Sequence, residues 1–517
     1  MTSRSHFDAY HLPLLRLLPL ALAFQSWACS ADGTISDAST DNSVTSDGGS
    51  GAPDLGPDAP LDQGEADQGA ADQGAADQGA ADQAMQADAG ALSDGGTATT
   101  PGWSAGDNMY PGPVATRVTS SVFADGRLAV LFETSPGSNV LRALAWTGAE
   151  TGPWTDLGVA NAGLPGALAP ANNLDDLHLR MVHVGTTELL AVFQQNGGIY
   201  SNYYNGSSWG TPSLVSSSLS TVTLAGDGGT RAILVYGVAS QVTARFYDSV
   251  SHSLGPEQVV ADAGRELDLP LGFLSRAAID AQGNATVFFR DRATVGGGGY
   301  SVHGYRRAAV DSSFASELPV LSGLNSPDRL CAASNAAGDV VFSFNERFTN
   351  TFGTFDRVRH VYRDAVDGLG AVSDTSAAGL IPNVDSCAIS ASGDAVIFVV
   401  NNNMASRPFV PIRYTNAVAS VGAPLDVIVS VTGSRPQGSM TSGGLSAVSY
   451  FRTDDRVEVA LEESPGGGYV TGPFLSLPNV INTSLDQLFK TSQRLDDGRF
   501  VLLYQSGQNH LRYAVLD

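Results

Sequence analysis

The run SASGDAVIFVV, residues 390–400, joins a tight-turn signature to six consecutive apolar residues. Glycine after two small residues marks a turn whose backbone must pass through positive φ, which glycine adopts without steric cost. The apolar run is too short for a helix and is rich in β-branched and aromatic residues, so it reads as a strand. A strand with no polar face needs packing on both sides of its sheet. The fold therefore turns on how often this unit recurs.

It recurs eight times. The turns are FADGR, VGTTE, GDGGT, DAQGN, NAAGD, SASGD, TSGGL and LDDGR, with anchor glycines 126, 185, 228, 283, 338, 393, 444 and 498. The spacings are 59, 43, 55, 55, 55, 51 and 54 residues. Each turn is followed by an apolar strand: LAVLF, LLAVF, AILVY, ATVFF, VVFSF, AVIFVV, SAVSYF and FVLLY. An aromatic closes the next strand in seven copies: Trp146, Tyr204, Tyr247, Tyr305, Tyr362, Tyr414 and Tyr513; the seventh copy reads VEVALEE instead. A weaker outer element follows in early copies, as in TGPWTDLG and NGSSWGTPSLV. Four strands per unit of roughly 50 residues define the blade of a β-propeller, because radial packing buries both faces of each sheet. The expected fold is all-β: a single propeller of about eight four-stranded blades over residues 103–517, with seven as the alternative. The eighth unit ends after its third strand, and residues 103–113 are placed to supply the missing outer one.

Units such as SASGDAVIF resemble the Asp-box hairpin, Ser-x-Asp-x-Gly-x-x-x-Trp, of the sialidase-like propellers, over residues 117–517. In that family the box is a structural hairpin. No Phe/Tyr-Arg-Ile-Pro run precedes the repeats, so the resemblance carries no catalytic residue onto this chain.

Ahead of the repeats lies a different kind of sequence. Residues 30–100 hold thirteen Asp, one Glu and no Lys or Arg, and include the repeat DQGEADQGAADQGAADQGAADQAMQ from Asp62. Such a tract cannot bury enough apolar surface to offset chain entropy, so residues 29–102 are expected to form a disordered tether. A flexible coil of that length reaches roughly 45–50 Å root-mean-square, and more if its like charges stretch it. Residues 1–28 read as an export signal: Arg4, then the apolar run LPLLRLLPLALAF, then Ser26-Trp27-Ala28-Cys29. This end resembles the lipobox of bacterial lipoproteins, which implies a diacylated Cys29 and attachment at the outer membrane or cell surface. Ordinary cleavage after Ala28 gives the alternative, a soluble periplasmic or secreted protein.

The net charge of −24 and the absence of any basic stripe argue against nucleic acid as a partner. The eight His lack metal-ligand spacing, and no cofactor motif is present, so neither metal nor cofactor is expected. GSSWG at 206–210 matches Gly-x-Ser-x-Gly, but a blade strand follows it rather than a helix, so Ser208 reads as a turn residue. Cys331 and Cys387 precede their turn glycines by seven and six residues, on inner strands of adjacent blades. They are candidates for a disulfide in an oxidising compartment, the alternative being two small buried apolar residues.

Propeller geometry puts the glycine turns on one face and the longer, varied loops on the other, where function tends to reside. The position after each second strand is polar in all copies but the third, where it is Gly237, and forms a candidate binding rim: Glu133, Gln194, Arg290, Asn345, Asn401, Arg452 and Gln505, with Asp291 and Glu346 beside it. Two functions are carried forward. The favoured one is a membrane-anchored extracytoplasmic module binding a glycan or a protein. The other is a carbohydrate-active enzyme using Glu133, Asp291 or Glu346 beside Arg290 and Arg452, which requires two carboxylates across a concave site.

Overall fold

The computed structural model describes Trp103, Met109, Tyr110 and residues 117–516, apart from short segments that fall mostly in loops. Cys29, the export signal and the tether lie outside the described residues.

Every described element is a strand. Blade 1 runs Val118–Val122, Leu128–Glu133, Leu141–Trp146 and Trp154–Val159, from the inner to the outer edge. Blade 2 is Leu179–His183, Leu189–Gln195, Gly198–Tyr204 and Ser213–Ser216. Blade 3 is Val222–Gly226, Ala232–Val238 and Gln241–Asp248, with its outer edge split into Ser253–Leu254 and Gln258–Ala261. Blade 4 is Ser275–Ile279, Ala285–Arg292, Tyr300–Arg307 and Ala315–Ser316. Blade 5 is Leu321–Ser334, Val340–Asn350 and Gly353–Asp364, with Gly368–Leu369 and Ser373–Thr375 outside. Blade 6 is Pro382–Ile389, Ala395–Asn401, Phe409–Thr415 and Val418–Val421. Blade 7 is Gln437–Met440, Ser446–Phe451 and Arg456–Glu462, then Tyr469–Thr471 and Leu475–Ser476. Blade 8 has Phe489–Arg494, Phe500–Gln505 and Leu511–Leu516. Pairing within the blades is antiparallel; the start of Leu321–Ser334 also pairs with Tyr300–Arg307, which joins blades 4 and 5 into one nine-stranded sheet.

The core accounts for the eight-fold count. Alternate residues of each apolar strand face opposite neighbours. Leu128, Val130 and Phe132 pack against Val501, Leu503 and Tyr513 of blade 8, whereas Ala129 and Leu131 pack against Met181 and Leu189 of blade 2. Further clusters join blades 2 and 3, 3 and 4, 4 and 5, 5 and 6, 6 and 7, and 7 and 8. Eight clusters, one per pair of neighbours, close a ring of eight blades, as the repeat count predicts.

The anchor glycines do what the sequence suggests. Gly126, Gly228, Gly283, Gly338, Gly393, Gly444 and Gly498 have φ between 77° and 101°. In blade 4, Gly283 N–H donates to Asp280 O (2.9 Å) and Asp280 N–H to Asn284 O (3.0 Å), a type I turn closed by a left-handed glycine. Gly185 is the exception, without a positive φ. The aromatic marker is less regular. Tyr204 and Tyr414 pair with the first residue of the second strand, and Trp146 and Tyr247 lie one step past the pairs Ala145–Ala129 and Phe246–Ile233; in blades 4 and 5 that position belongs to Arg307 and Arg363, and in blade 7 to Glu462, one step past Leu461–Ala447.

The outer position of blade 8 is taken by Trp103, which bridges Leu516, while Met109 N–H donates to Leu511 O (3.0 Å). Trp103, Trp154 and Trp209 are equivalent: each opens an outer edge opposite the last residue of a third strand, namely Leu516, Trp146 and Tyr204. The sequences PGW, GPW and SSW thus mark one structural position in three consecutive blades.

Cys331 and Cys387 form a disulfide between the inner strands of blades 5 and 6, with Cα atoms 5.8 Å apart. That separation lies in the usual range of roughly 4.4–6.8 Å. A non-reducing peptide map is expected to contain one linked peptide pair holding both residues, and two free thiols after reduction. Recovery of both as free thiols from protein purified without reductant would refute the bond.

Candidate functional site

The loops after the second strands and the links between blades share one face, here called upper; the glycine turns lie on the lower face. Beneath the upper loops the rim residues are held within their blades. Glu133, 3 % exposed, pairs with Arg117 (Nη1 to Oε2, 3.2 Å) and accepts Gly137 N–H at 3.2 Å. Asp291 Oδ2 lies 2.9 Å from His303 Nε2, and the imidazole stacks on Phe289. Glu346, 4 % exposed, receives two arginines, Arg357 Nε at 2.9 Å and Arg359 Nε at 2.6 Å. Arg357 also reaches Asp374 at 2.8 Å. Its guanidinium is held above the ordinary arginine range: burial alone would lower it, and the Glu346 and Asp374 carboxylates outweigh that. Asn345 is buried. Arg290 lies over the Tyr300 ring, 4.9 Å from its centroid.

Gln194 is 1 % exposed, and its backbone joins His178 O (3.0 Å) and Ala169 N–H (3.0 Å). Burial pushes the His178 imidazole below its ordinary value, against the Gln194 amide, which raises it. The neighbouring Gln195 is the residue that fixes a loop. Its Nε2 donates to Leu164 O (3.2 Å) and Gly166 O (2.9 Å), and its Oε1 accepts Asn161 Nδ2 (2.9 Å). Asn161 also accepts Leu141 N–H (2.8 Å), and Asn139 accepts Leu168 N–H (3.0 Å). Three amides thus pin the link between blades 1 and 2.

The structure aligns Glu133, Gln194, Arg290 and Asn345 at one ladder position, five after the first residue of each second strand. Asn401 falls one residue further on, level with Asp291 and Glu346, because blade 6 has Val400 at the shared position. Arg452 and the side chains of Asn401 and Gln505 lie outside the described residues. Sequence reading placed these polar groups at an open rim. The described carboxylates and amides instead sit under a tenth exposed and act as supports below the loops. The partners Arg117, His303, Arg357 and Arg359 were missed because pairing across strands leaves no local signature; the third-strand register brings in His303, Arg357 and Arg359, and the first strand brings in Arg117.

Ser208 lies in a turn that Asn205 organises: Asn205 Oδ1 accepts the N–H groups of Ser207 and Ser208, each at 2.9 Å. Among the described residues no three His, Cys, Asp or Glu side chains converge as metal ligands do.

One buried histidine makes acid stability measurable. His360 of blade 5 is 2 % exposed, with Nε2 2.8 Å from Thr375 Oγ1 and Nδ1 against the Tyr414 hydroxyl of blade 6. Burial pushes its pKa from 6.5 down to about 4. About one unit above the unfolded value of 6.5 the ring is neutral both folded and unfolded, so there it adds no pH dependence. Below that, the unfolded chain binds a proton that the folded ring refuses, and stability falls until about pH 4. The loss expected from this group is about 3 kcal/mol. Urea midpoints at pH 7 and pH 4.5 measure it, and His360→Gln is expected to flatten the difference. An unchanged pH dependence in that variant would remove His360 as the cause.

Fold and site together define an eight-bladed β-propeller whose upper loops rest on buried ion pairs and amides. No family model matches the chain, and no curated protein matches it. Among solved structures it is similar to the "Dos1 propeller" (10 % identity, TM-score 0.46, 80 % of this chain and 94 % of that one). It is also similar to an ulvan lyase, a polysaccharide lyase (10 % identity, TM-score 0.40, 79 % and 95 %). A third is the Aleuria aurantia lectin in complex with alpha-methyl-L-fucoside (13 % identity, TM-score 0.34, 62 % and 99 %). At these values none of them bears on what this chain binds.

Proposed function

We propose that this protein is a membrane-anchored, extracytoplasmic β-propeller that binds a glycan or a protein at its upper face. The observation that carries the reading is the use made of the upper carboxylates. Glu133, Asp291 and Glu346 are each committed to a basic partner below the loops. A scaffold that spends its charges on holding varied loops suits a composite binding face. The anchoring half rests on Ser26-Trp27-Ala28-Cys29 and the acidic repeat that follows. A glycan array probed with the full chain from Cys29, run beside a glycosidase and lyase substrate screen, tests it. Retention of a defined ligand without turnover supports a module; product formation replaces it with the second reading.

That second reading, a carbohydrate-active enzyme, has one specific observation in its favour. Asp291 and His303 form a buried acid–base pair below the blade 4 loop. If the pair works on substrate, Asp291→Asn abolishes turnover; if it supports the loop, the variant weakens binding without any activity to lose.

A further inference from the structure

The lower face carries an apolar feature that packing does not explain. The turns between third and outer strands in blades 3, 4, 5 and 6 read DSVSHS (248–253), AAVDSS (308–313), DAVDGL (364–369) and TNAVAS (415–420). Each puts a valine at or beside its tip. Val250, Val310, Val366 and Val418 are 88 %, 94 %, 90 % and 69 % exposed. Turn tips favour Asp, Asn, Ser and Gly, and β-branched residues are poor choices there. Scattered exposed valines are ordinary; the same misfit in four consecutive blades is not. The backbone holds them outward: Asp248 Oδ1 accepts Val250 N–H (2.9 Å) and Asp364 Oδ1 accepts Val366 N–H (2.7 Å). These tips share the face of the glycine turns, to which they are tied by Ala309 N–H donating to Asn284 (2.9 Å) and Ala365 N–H to Asp339 (2.9 Å).

Trp103, the first described residue, pairs with Leu516, the last residue of a third strand, and so lies at the lower side, the side from which the expected tether would lead into the propeller. We propose that the valine arc is a docking surface for the lipid bilayer that holds the anchor, so that the upper loops face away from the membrane. This rests on the anchoring reading above. Tips of equivalent turns lie level with one another, which suits a flat surface, and a valine inserts at the interface with little disturbance. Asp248, Asp311, Asp364 and Asp367 beside the valines set the lipid preference: the arc fits zwitterionic headgroups and is repelled by anionic ones.

The test uses exported full-chain Cys29→Ser protein, which lacks the lipid, on vesicles of pure phosphatidylcholine. Partition at on the order of millimolar lipid is expected, weakened by added phosphatidylglycerol. The variant Val250→Asp/Val310→Asp/Val366→Asp/Val418→Asp is expected to partition at least about tenfold more weakly. Its melting temperature should be unchanged, since the replaced side chains touch little. Equal partition of the two proteins, or no partition of either, overturns the proposal. So does concentration-dependent self-association that the variant loses, which would make a second copy the occupant. Anchoring is read separately, from membrane fractionation of cells carrying wild type or Cys29→Ser. Unchanged fractionation sinks the anchor while the vesicle assay still reports on the valines.

Discussion

Replacing Glu462 with alanine is expected to cost about 3–5 kcal/mol of stability, the scale for leaving one half of a buried ion pair behind. Glu462 ends the third strand of blade 7 and is fully buried. It holds the ladder position that Trp146, Tyr204, Tyr247 and Tyr414 hold elsewhere. A carboxylate in an aromatic slot survives only if every lone pair is used. Arg413 of blade 6 pairs with one oxygen, which also accepts Gly466 N–H at 2.8 Å. The other oxygen accepts Ser446 N–H at 2.8 Å and Ser446 Oγ–H at 2.7 Å. From blade 8, Arg494 Nη1 donates to Glu462 O (2.8 Å) and Ser446 O (2.7 Å). Burial holds the Arg494 guanidinium below its ordinary value, with the Glu462 carboxylate working against that shift.

One residue therefore ties three blades, its carboxylate holding Arg413 of blade 6 and its backbone carbonyl Arg494 of blade 8. Glu462→Ala strands the Arg413 charge and two backbone donors. Arg413→Ala is expected to cost a similar amount, and the double replacement less than the sum, because the pair fails as a unit. Urea unfolding of the two single variants and the double gives the coupling directly. A Glu462→Ala loss below about 1 kcal/mol would mean that water reaches the site and that the clasp is not a clasp.

This clasp shows where sequence reading stops. The seventh copy, VEVALEE, registers as a missing aromatic. The short run itself does not say that the second of its three glutamates is buried, because apart from Gly466 its partners lie 49, 32 and 16 residues away. The turn glycines and apolar runs, by contrast, were legible because their physics is local: positive φ at the turn, and no polar face on the strand. Multiplying one legible unit by eight produced the ring. The burial of the described rim carboxylates and amides escaped notice for the opposite reason. Polar residues at strand ends look water-facing, and only the register of the third strand reveals that Glu346 is met by Arg357 and Arg359. A tryptophan signal was overlooked: comparing PGW with GPW and SSW would have put the closing contact at Trp103 instead of leaving it spread over residues 103–113.

Deleting residues 1–113 is expected to destabilise the ring by on the order of 5 kcal/mol, a large part of what holds a typical domain together. Truncation at Gly90, where the compact unit begins, should leave stability unchanged. The difference comes from few residues. Trp103 meets Phe500 edge-on at 6.3 Å between centroids and donates its Nε1–H to Pro473 O of blade 7 at 2.7 Å. Met109 is 6 % exposed in the core shared by blades 8 and 1. Tyr110 packs on Phe132 of blade 1 at 5.3 Å. These contacts complete blade 8, the one blade whose outer edge comes from a distant part of the chain, and hold it against blade 1. Without them Leu511–Leu516 becomes a bare edge, open to pairing with another chain. The shorter chain should therefore melt lower, lose blade 8 first to limited proteolysis and aggregate on heating. Trp103→Ala tests the closing contact alone and should reproduce part of the loss. Equal melting of the two truncations would show that the packing of blade 8 on blade 1 through Val501, Leu503 and Tyr513 closes the ring by itself.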